Sequence, residues 1–346
     1  MKTLKDFDLV GKRVLVRCDL NVPTDKNNNI LDDFKIRETL PTIKYLIHKR
    51  SKIILMSHLD PESTGVADKK YTLNNVAKKL SHYLGFPVAK ADDCIGPEIE
   101  SHTHSLEMGG VMLLENLKFH KEEKAGDAEF AKKLSYLGEI YADDAFGTCY
   151  RPYASIVAIT EYMPSCMGLL LEKEITNLNK ISQNPEKPLI ALIGGKKVET
   201  KVKVIDKLSE RADFILISGL IKNEAEKEKI IFKYPEKIFG PEGSLDRPDI
   251  DEKTQKEFRE KILVAKTVVW NGPFGVIEEK KYSKGTRALA DAIIESKAFS
   301  VVGGGETAEF LEKEGIIEKF SHVSTGGGAM LAYLAGEEMP GIKALN

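Results

Sequence analysis

Short apolar runs alternate with amphipathic stretches along almost the whole chain, and that alternation limits the fold more than any single motif. Arg13–Val16, Ile53–Met56, Val111–Leu114 and Ile140–Ala142 are the apolar runs of the first half. Between them, Lys35–Arg50 places Ile36, Leu40, Ile43, Leu46 and Ile47 on one helical face, and Leu73–Leu84 and Ala128–Leu137 are also spaced as helices. Near-continuous apolar strands separated by helices predict a parallel sheet covered on both faces. The second half restarts the pattern. Leu189–Ile193, Phe214–Ser218, Thr267–Trp270 and the run at Val301–Val302 read as strands, and Lys284–Ile294 and Ala329–Leu334 as helices. Asn223–Lys253 is charged and has no assignable period.

A chain of 346 residues has room for two ordinary domains. Leu169–Ile181 is an amphipathic helix followed by the polar, proline-containing SQNPEKP, which places the boundary there. The fold expected is α/β: two Rossmann-like three-layer domains with parallel sheets, covering 1–170 and 187–334, joined by a connecting helix and hinge over 171–186. A formal net charge of −2 offers no basic field for nucleic acid. Cys18, Cys94, Cys149 and Cys166 are scattered, without CxxC or metal spacing, and read as free thiols of a reducing compartment. The N-terminal MKTLKDFDLVGKR lacks the apolar core of a signal peptide, and no apolar run is long enough for a membrane span. A cytoplasmic protein acting on small molecules is expected, with no nucleic-acid or membrane partner.

The apolar runs end in chemistry. In open α/β sheets ligands bind beyond the C-terminal ends of the strands. Asp19 and Asn21 follow the first run, His58 the second, Lys118 the third, and Arg151 lies just beyond the fourth. Taken singly these are turn or solvated residues; together they furnish one sheet edge for a small anion. In the second half, FSVVGGGETAEF runs from strand through Gly303–Gly305 into a helix opening at about Thr307. Glycines let backbone N–H groups approach a phosphate at a helix start. Glu306 would repel that phosphate unless a cation lay between them, which points to Mg²⁺. Two further strand–glycine–helix junctions occur, at Gly194–Lys201 and Gly326–Ala329. Lys197 and Lys201 are four apart on one helix face near its N-terminus, where positive charge opposes the helix dipole unless an anion is present. No junction is a P-loop or a GxGxxG motif. The residues alone describe a two-domain phosphotransferase that works by positioning, charge neutralisation and domain closure.

Eight stretches in order resemble the phosphoglycerate kinase family: RCDLNVP (Arg17–Pro23), MSHL (Met56–Leu59), LLENLKFH (Leu113–His120), DAFGT (Asp144–Thr148), GGKKVETK (Gly194–Lys201), VVWNGPFGV (Val268–Val276), GGGET (Gly303–Thr307) and STGGGA (Ser324–Ala329). The resemblance implies reversible phosphoryl transfer between 1,3-bisphosphoglycerate and ADP, giving 3-phosphoglycerate and ATP with Mg²⁺, in a monomer whose tail, 335–346, returns to the first domain. It implies that Asp19, Asn21, Lys35, His58, Lys118 and Arg151 hold the acid substrate. It implies that Lys197, Lys201, Asn271, Glu278, Gly304, Gly305, Glu306 and Thr307 hold the nucleotide, with Glu306 on the metal where the family has Asp. Catalytic roles fall to Lys35, Lys197, Lys201, Gly304 and Gly327.

The departures define the alternatives. Lys35 and Lys118 stand where the family has arginine, SHLGRP reads Ser57-His58-Leu59-Asp60-Pro61-Glu62, and the stretch after Ser218 carries an apparent deletion beside the adenine wall. A divergent, shortened member is therefore expected. Lysine offers a point charge where arginine offers a planar fork. Two other readings follow: an acyl-phosphate kinase for a different acid or donor, and a non-catalytic paralogue that binds a metabolite.

Overall fold

Two parallel sheets, each covered by helices, account for the alternating pattern. The computed structural model describes residues 1–59, 65, 67–195, 198–242 and 247–346. The chain divides into one unit of Met1–Glu174 with Glu338–Asn346, and a second of Ile175–Glu337.

The first unit contains β1 (Arg13–Cys18), α1 (Phe34–His48), β2 (Lys52–Met56), α2 (Asn74–Leu84), β3 (Ala89–Lys90), α3 (Pro97–Ser105), β4 (Val111–Leu113), α4 (Lys121–Ala125), α5 (Ala128–Ser135), β5 (Ile140–Asp144), β6 (Ser165–Met167) and the start of α6 (Leu169–Ser182). Its strands are all parallel, in the order β3-β4-β2-β1-β5-β6. β1 feeds β2 on one side and is flanked by β5, reached later, on the other. The strand order therefore reverses between β1 and β5, and the crevice beyond their C-terminal ends is where such sheets bind ligands. The core beneath is apolar: Val14, Val16, Ile53, Leu55, Leu113 and Ala142 of the sheet are buried with Ile36, Ile43 and Leu46 of α1 and Leu80 of α2. Asp144, at the end of β5, caps α6: its Oδ1 accepts from the N–H groups of Leu170 (2.8 Å) and Leu171 (3.2 Å).

The second unit contains β7 (Leu189–Ile193), α7 (Glu199–Ser209), β8 (Phe214–Ile217), α8 (Gly219–Lys227), β9 (Ile238–Phe239), α9 (Glu252–Leu263), β10 (Thr267–Asn271), α10 (Lys284–Ser296), β11 (Phe299–Gly303), α11 (Gly305–Lys313), β12 (His322–Val323) and α12 (Gly327–Leu334). The order is β12-β11-β10-β7-β8-β9, again all parallel, with the reversal between β7 and β10. A final helix, α13 (Pro340–Ala344), belongs to the first unit, where the Gly341 N–H donates to the Cys149 carbonyl at 2.9 Å.

Several expectations need correction. Asn223–Lys253, patternless in sequence, carries most of α8, then β9 and the start of α9. These elements are marked by caps rather than by period: Ser218 Oγ accepts from Ile221 N–H at 3.4 Å, and Asp251 Oδ1 from Thr254 N–H at 2.9 Å. β3, α3 and β6 were not expected either. Two of these are strands of only two or three residues, too short to show a period. The helix expected at about Thr307 begins at Gly305, so Glu306 lies in its first turn. All four cysteines are buried free thiols, and no described helix is long and apolar enough to cross a membrane.

Leu55, wholly buried in β2, tests the core. Leu55→Ala is expected to destabilise the first unit by about 2–5 kcal/mol in urea unfolding; a loss under about 1 kcal/mol would show that the surroundings collapse into the space.

Candidate active site

The candidate site of the first unit is organised around Arg17, whose side chain is wholly buried near the end of β1. A buried guanidinium is costly unless its N–H groups are used and a counter-charge is close. Nε donates to Ser155 Oγ (2.8 Å), Nη1 to the Cys18 carbonyl (2.5 Å), and Nη2 lies 3.2 Å from His58 Nδ1. The Glu123 carboxylate stands 3.7 Å from Nη2 and is equally buried. Glu123 is fixed in turn by Ser155, whose N–H donates to Oε2 (3.0 Å) and whose hydroxyl donates to Oε1 (2.6 Å).

That arrangement sets the state of His58. A guanidinium has donors only, so His58 Nδ1 must accept and the ring proton sits on Nε2. Burial, and then the Arg17 charge, hold the imidazole well below its ordinary pKa. His58 is therefore neutral near pH 7 and offers one N–H donor. Ser57 keeps the loop in place: its hydroxyl donates to the Cys18 carbonyl (2.8 Å) and accepts from the Leu20 N–H (2.9 Å).

Asp19, beyond the end of β1, is buried, and its Oδ2 accepts from Lys35 Nζ at 2.7 Å. Burial pushes this carboxyl up, but Lys35, His58 and Arg17 outweigh it and hold Asp19 below the usual carboxylate range. Asp19 Oδ1 also accepts from the Asn21 N–H at 3.2 Å. Lys35 sits in the first turn of α1, where the helix dipole disfavours a cation. Lys118 is carried by a short 3₁₀ turn, Leu117–Phe119, capped by Asn116 Oδ1 at 3.0 Å from the Lys118 N–H. Its ammonium lies 5.9 Å from the centre of the Tyr153 ring. Burial, with the charges of Lys124 and Arg17, pushes Lys118 down to about 8. Arg151 is exposed, its guanidinium over the Tyr150 ring at 4.5 Å, and is not part of the buried group.

The candidate site of the second unit is built from backbone. The loops after β7 and β10 bond directly: the Gly194 N–H donates to the Asn271 carbonyl (2.8 Å), and the Gly195 N–H to the Pro273 carbonyl (2.9 Å). The Gly272 N–H donates to Thr307 Oγ1 at 3.1 Å, which ties in the loop after β11. A Cβ on Gly327 would lie 2.8 Å from Gly304 Cα, and Gly304 has φ of +102°, so both positions require glycine. The three glycine junctions thus stand back to back. Neither α11 nor α12 is capped by a side chain, which leaves first-turn N–H groups for another acceptor. Lys201 lies across this region, with Nζ donating to the Gly194 carbonyl. Burial pushes it down to about 8, against the nearby charges of Glu306 and Glu224. Lys197 lies outside the described residues.

Beside the junctions is a cavity of about 240 Å³, whose lining includes Gly195, Leu220, Ile250, Phe274, Glu278 and Glu306. Its wall includes Asn223 on α8 and Asp249–Asp251, which lie to either side of the apparent deletion. Asn271 is not on this cavity; its Nδ2 lies 3.4 Å from where a Cβ on Gly304 would be, at the junction.

The expected residues therefore form two groups: Asp19, Asn21, Lys35, His58 and Lys118 in the first unit, and Lys201, Asn271, Glu278, Gly304–Thr307 and Gly327 in the second. Arg17, Glu123, Ser155 and Tyr153 were missed. Only Arg17 carried a signal, as a charge inside an otherwise apolar strand. Glu123 cannot be told in sequence from its partly exposed neighbour Glu122.

A doubly wound α/β protein with one anion-suited sheet edge and one set of glycine junctions belongs with the two-domain phosphate-transfer enzymes. The family model described as phosphoglycerate kinase matches residues 4–231 and 227–337. The chain is 42% identical to the phosphoglycerate kinase of Dictyoglomus turgidum, with 99% of this chain and 97% of that protein covered. It is 40% identical to that of Borrelia hermsii, with 100% and 99% covered. The solved phosphoglycerate kinase of Pyrococcus horikoshii OT3 superposes with a TM-score of 0.90 at 32% identity, covering 100% of this chain and 98% of that one. That of Coxiella burnetii gives 0.83 at 32% identity, covering 99% and 98%. The chain belongs to the phosphoglycerate kinase family. At this identity and coverage it is not an outlying member. The Dictyoglomus alignment runs over 388 positions, more than the chain's 346 residues, so the difference is taken up by internal gaps.

Lys118 and Lys201 give a prediction with a definite sign. Both hold their protons less tightly when folded (about 8) than the ordinary 10.5 of lysine. The unfolded chain thus binds more protons across that interval, and stability rises from about pH 8 toward 10.5. Side-chain ¹³Cε titration is expected to show two midpoints near 8, one lost in Lys118→Met and the other in Lys201→Met; ordinary lysine midpoints would contradict the burial argument.

Proposed function

We propose that this chain catalyses reversible phosphoryl transfer between 1,3-bisphosphoglycerate and ADP, giving 3-phosphoglycerate and ATP. The observation that carries the proposal is the group at the end of the first sheet, with Arg17, His58 and Lys118 buried and Lys35 partly exposed around Asp19, in a chain whose relatives along its whole length are phosphoglycerate kinases. Phosphoryl transfer asks a protein for in-line positioning and stabilisation of charge spreading over the transferred group.

In this reading the first unit binds the acid. His58 Nε2–H and Lys118 donate to its anionic oxygens, as does Arg151. Asp19 and Asn21 accept from its hydroxyl and fix its orientation. Lys35 is held by Asp19 until an anion competes for it, and it then neutralises the transferring phosphoryl oxygens. In the second unit Lys201, with Lys197, meets the nucleotide phosphates. The backbone of Gly304–Thr307 and Gly326–Gly328 supplies N–H donors, Asn271 holds the junction, and Glu278, on the cavity wall, accepts from the ribose. Catalytic roles go to Lys35, Lys197, Lys201, Gly304 and Gly327.

Relatives of this kind work with Mg²⁺ and ATP or ADP. The residues here fit the ion: Glu306 is an exposed carboxylate on the cavity, beside uncapped first-turn amides, and Mg²⁺ is commonly held by one or two carboxylates together with substrate phosphates. When bound, the ion neutralises phosphate charge. Glu306 would hold it, while Lys201 bears on the same phosphates from the other junction.

The test is a steady-state assay with Mg-ATP and 3-phosphoglycerate, coupled to consumption of the acyl phosphate. Saturable turnover is expected, and Lys35→Ala should lower kcat by about 10²–10³-fold while KM changes little, because its contact is made in the transition state. An unchanged kcat would remove Lys35 from the reaction. Turnover with another carboxylic acid but not with 3-phosphoglycerate would favour the second reading, which the point charges at Lys35 and Lys118 motivate.

A further inference from the structure

At the outer edge of the first sheet β3 and β4 are neighbours, so the loops beyond their C-terminal ends meet. One brings Asp93 and Cys94, before α3, and the other brings His120, directly after the turn that carries Lys118. A carboxylate oxygen, the Cys94 sulfur and a His120 ring nitrogen all lie within 4.8 Å of one another. Neither the acid-binding group nor the nucleotide cavity uses these three residues.

We propose that Asp93, Cys94 and His120 form a binding site for a zinc-class divalent cation, with a fourth position open to water. Three lines of chemistry support it. First, the donors are a thiolate, an imidazole and a carboxylate, the ligands of tetrahedral zinc, whose bonds of about 2.0–2.3 Å place ligands roughly 3.3–3.8 Å apart. His120 Nε2 and Asp93 Oδ1 are hydrogen-bonded at 2.7 Å, so a metal that replaces the proton between them needs the pair to open by about 0.6–1.1 Å. Second, the charge closes. One thiolate, one carboxylate and a neutral imidazole balance a divalent cation, so the complex is neutral at a site where Cys94 is buried. Third, the donors are already oriented. The Cys94 N–H holds Asp93 Oδ1 at 2.6 Å, and the His120 ring stacks on Phe130 with centroids 5.1 Å apart.

The route in is visible as well. The Asp93 side chain is 51% exposed and that of His120 25%, above the buried sulfur. A soft donor excludes Mg²⁺, which takes oxygen ligands, so this site is chemically distinct from any metal that accompanies the nucleotide.

The test uses the full chain, freed of metal and titrated anaerobically with Co²⁺. One equivalent should produce a near-ultraviolet thiolate-to-cobalt charge-transfer band together with the visible bands of a tetrahedral ion, both displaced by Zn²⁺ and untouched by excess Mg²⁺. Cys94→Ser should abolish the charge-transfer band. Asp93→Asn and His120→Ala, at more exposed positions, should each weaken Co²⁺ binding by about tenfold or more while circular dichroism stays unchanged. Absence of the band in the unaltered chain would overturn the proposal. So would its persistence in Cys94→Ser, or indifference to both Asp93→Asn and His120→Ala. None of these readouts depends on turnover.

Discussion

A guanidinium without solvent contact sits at the functional end of the first sheet, and the surrounding groups are arranged around it. Arg17 is retained in the interior because Ser155, the Cys18 carbonyl and the ring of His58 take its N–H groups, while buried Glu123 supplies the counter-charge. Removing one member of such a set strands the others, at a cost of about 3–5 kcal/mol for an uncompensated buried charge. The set draws on β1, the loop after β2, α4 and the segment after β5, so it ties four parts of the unit together. It also decides the chemistry of the mouth above it. His58 is kept neutral and donating, and Asp19 is kept ionised and accepting.

The second unit is built on another principle. It has few buried charges and relies on backbone. The glycine junctions after β7, β11 and β12 are drawn together through the loop after β10, because β7, β10, β11 and β12 are neighbours in the sheet. Thr307 and the Gly194–Asn271 bond hold the loops in register. In the proposed function, side chains of the first unit would distinguish the groups of a small acid, and backbone amides of the second would meet phosphates, which present similar oxygens on every side.

Much of this was legible in the sequence. Long apolar strands and amphipathic helices showed their periods, so the parallel α/β architecture and the polar strand ends at Asp19, His58 and Lys118 could be read directly. What could not be read had physical reasons. β3 and β9 are two residues long, and no period fits in two residues. α8 and α9 are strongly charged, so their helical stripe is diluted and only their caps mark them. Glu123 lies in a run of charged residues of which it alone is wholly buried, because burial there depends on Arg17, more than a hundred positions away in the chain. The apparent deletion after Ser218 is seen in sequence as missing residues, whereas the cavity wall that Asn223 and Asp249–Asp251 help to form is made by tertiary packing.

The most direct measurement is the ring state of His58, read by long-range ¹H–¹⁵N correlation across pH in the ligand-free chain. If Arg17 governs this end of the sheet, Nε2 carries the proton, Nδ1 has the shift of an unprotonated acceptor, and protonation begins only well below the ordinary imidazole range. A proton on Nδ1, or a midpoint at the ordinary value, would mean that Arg17 does not hold His58. The buried network would then not be the element on which the site depends.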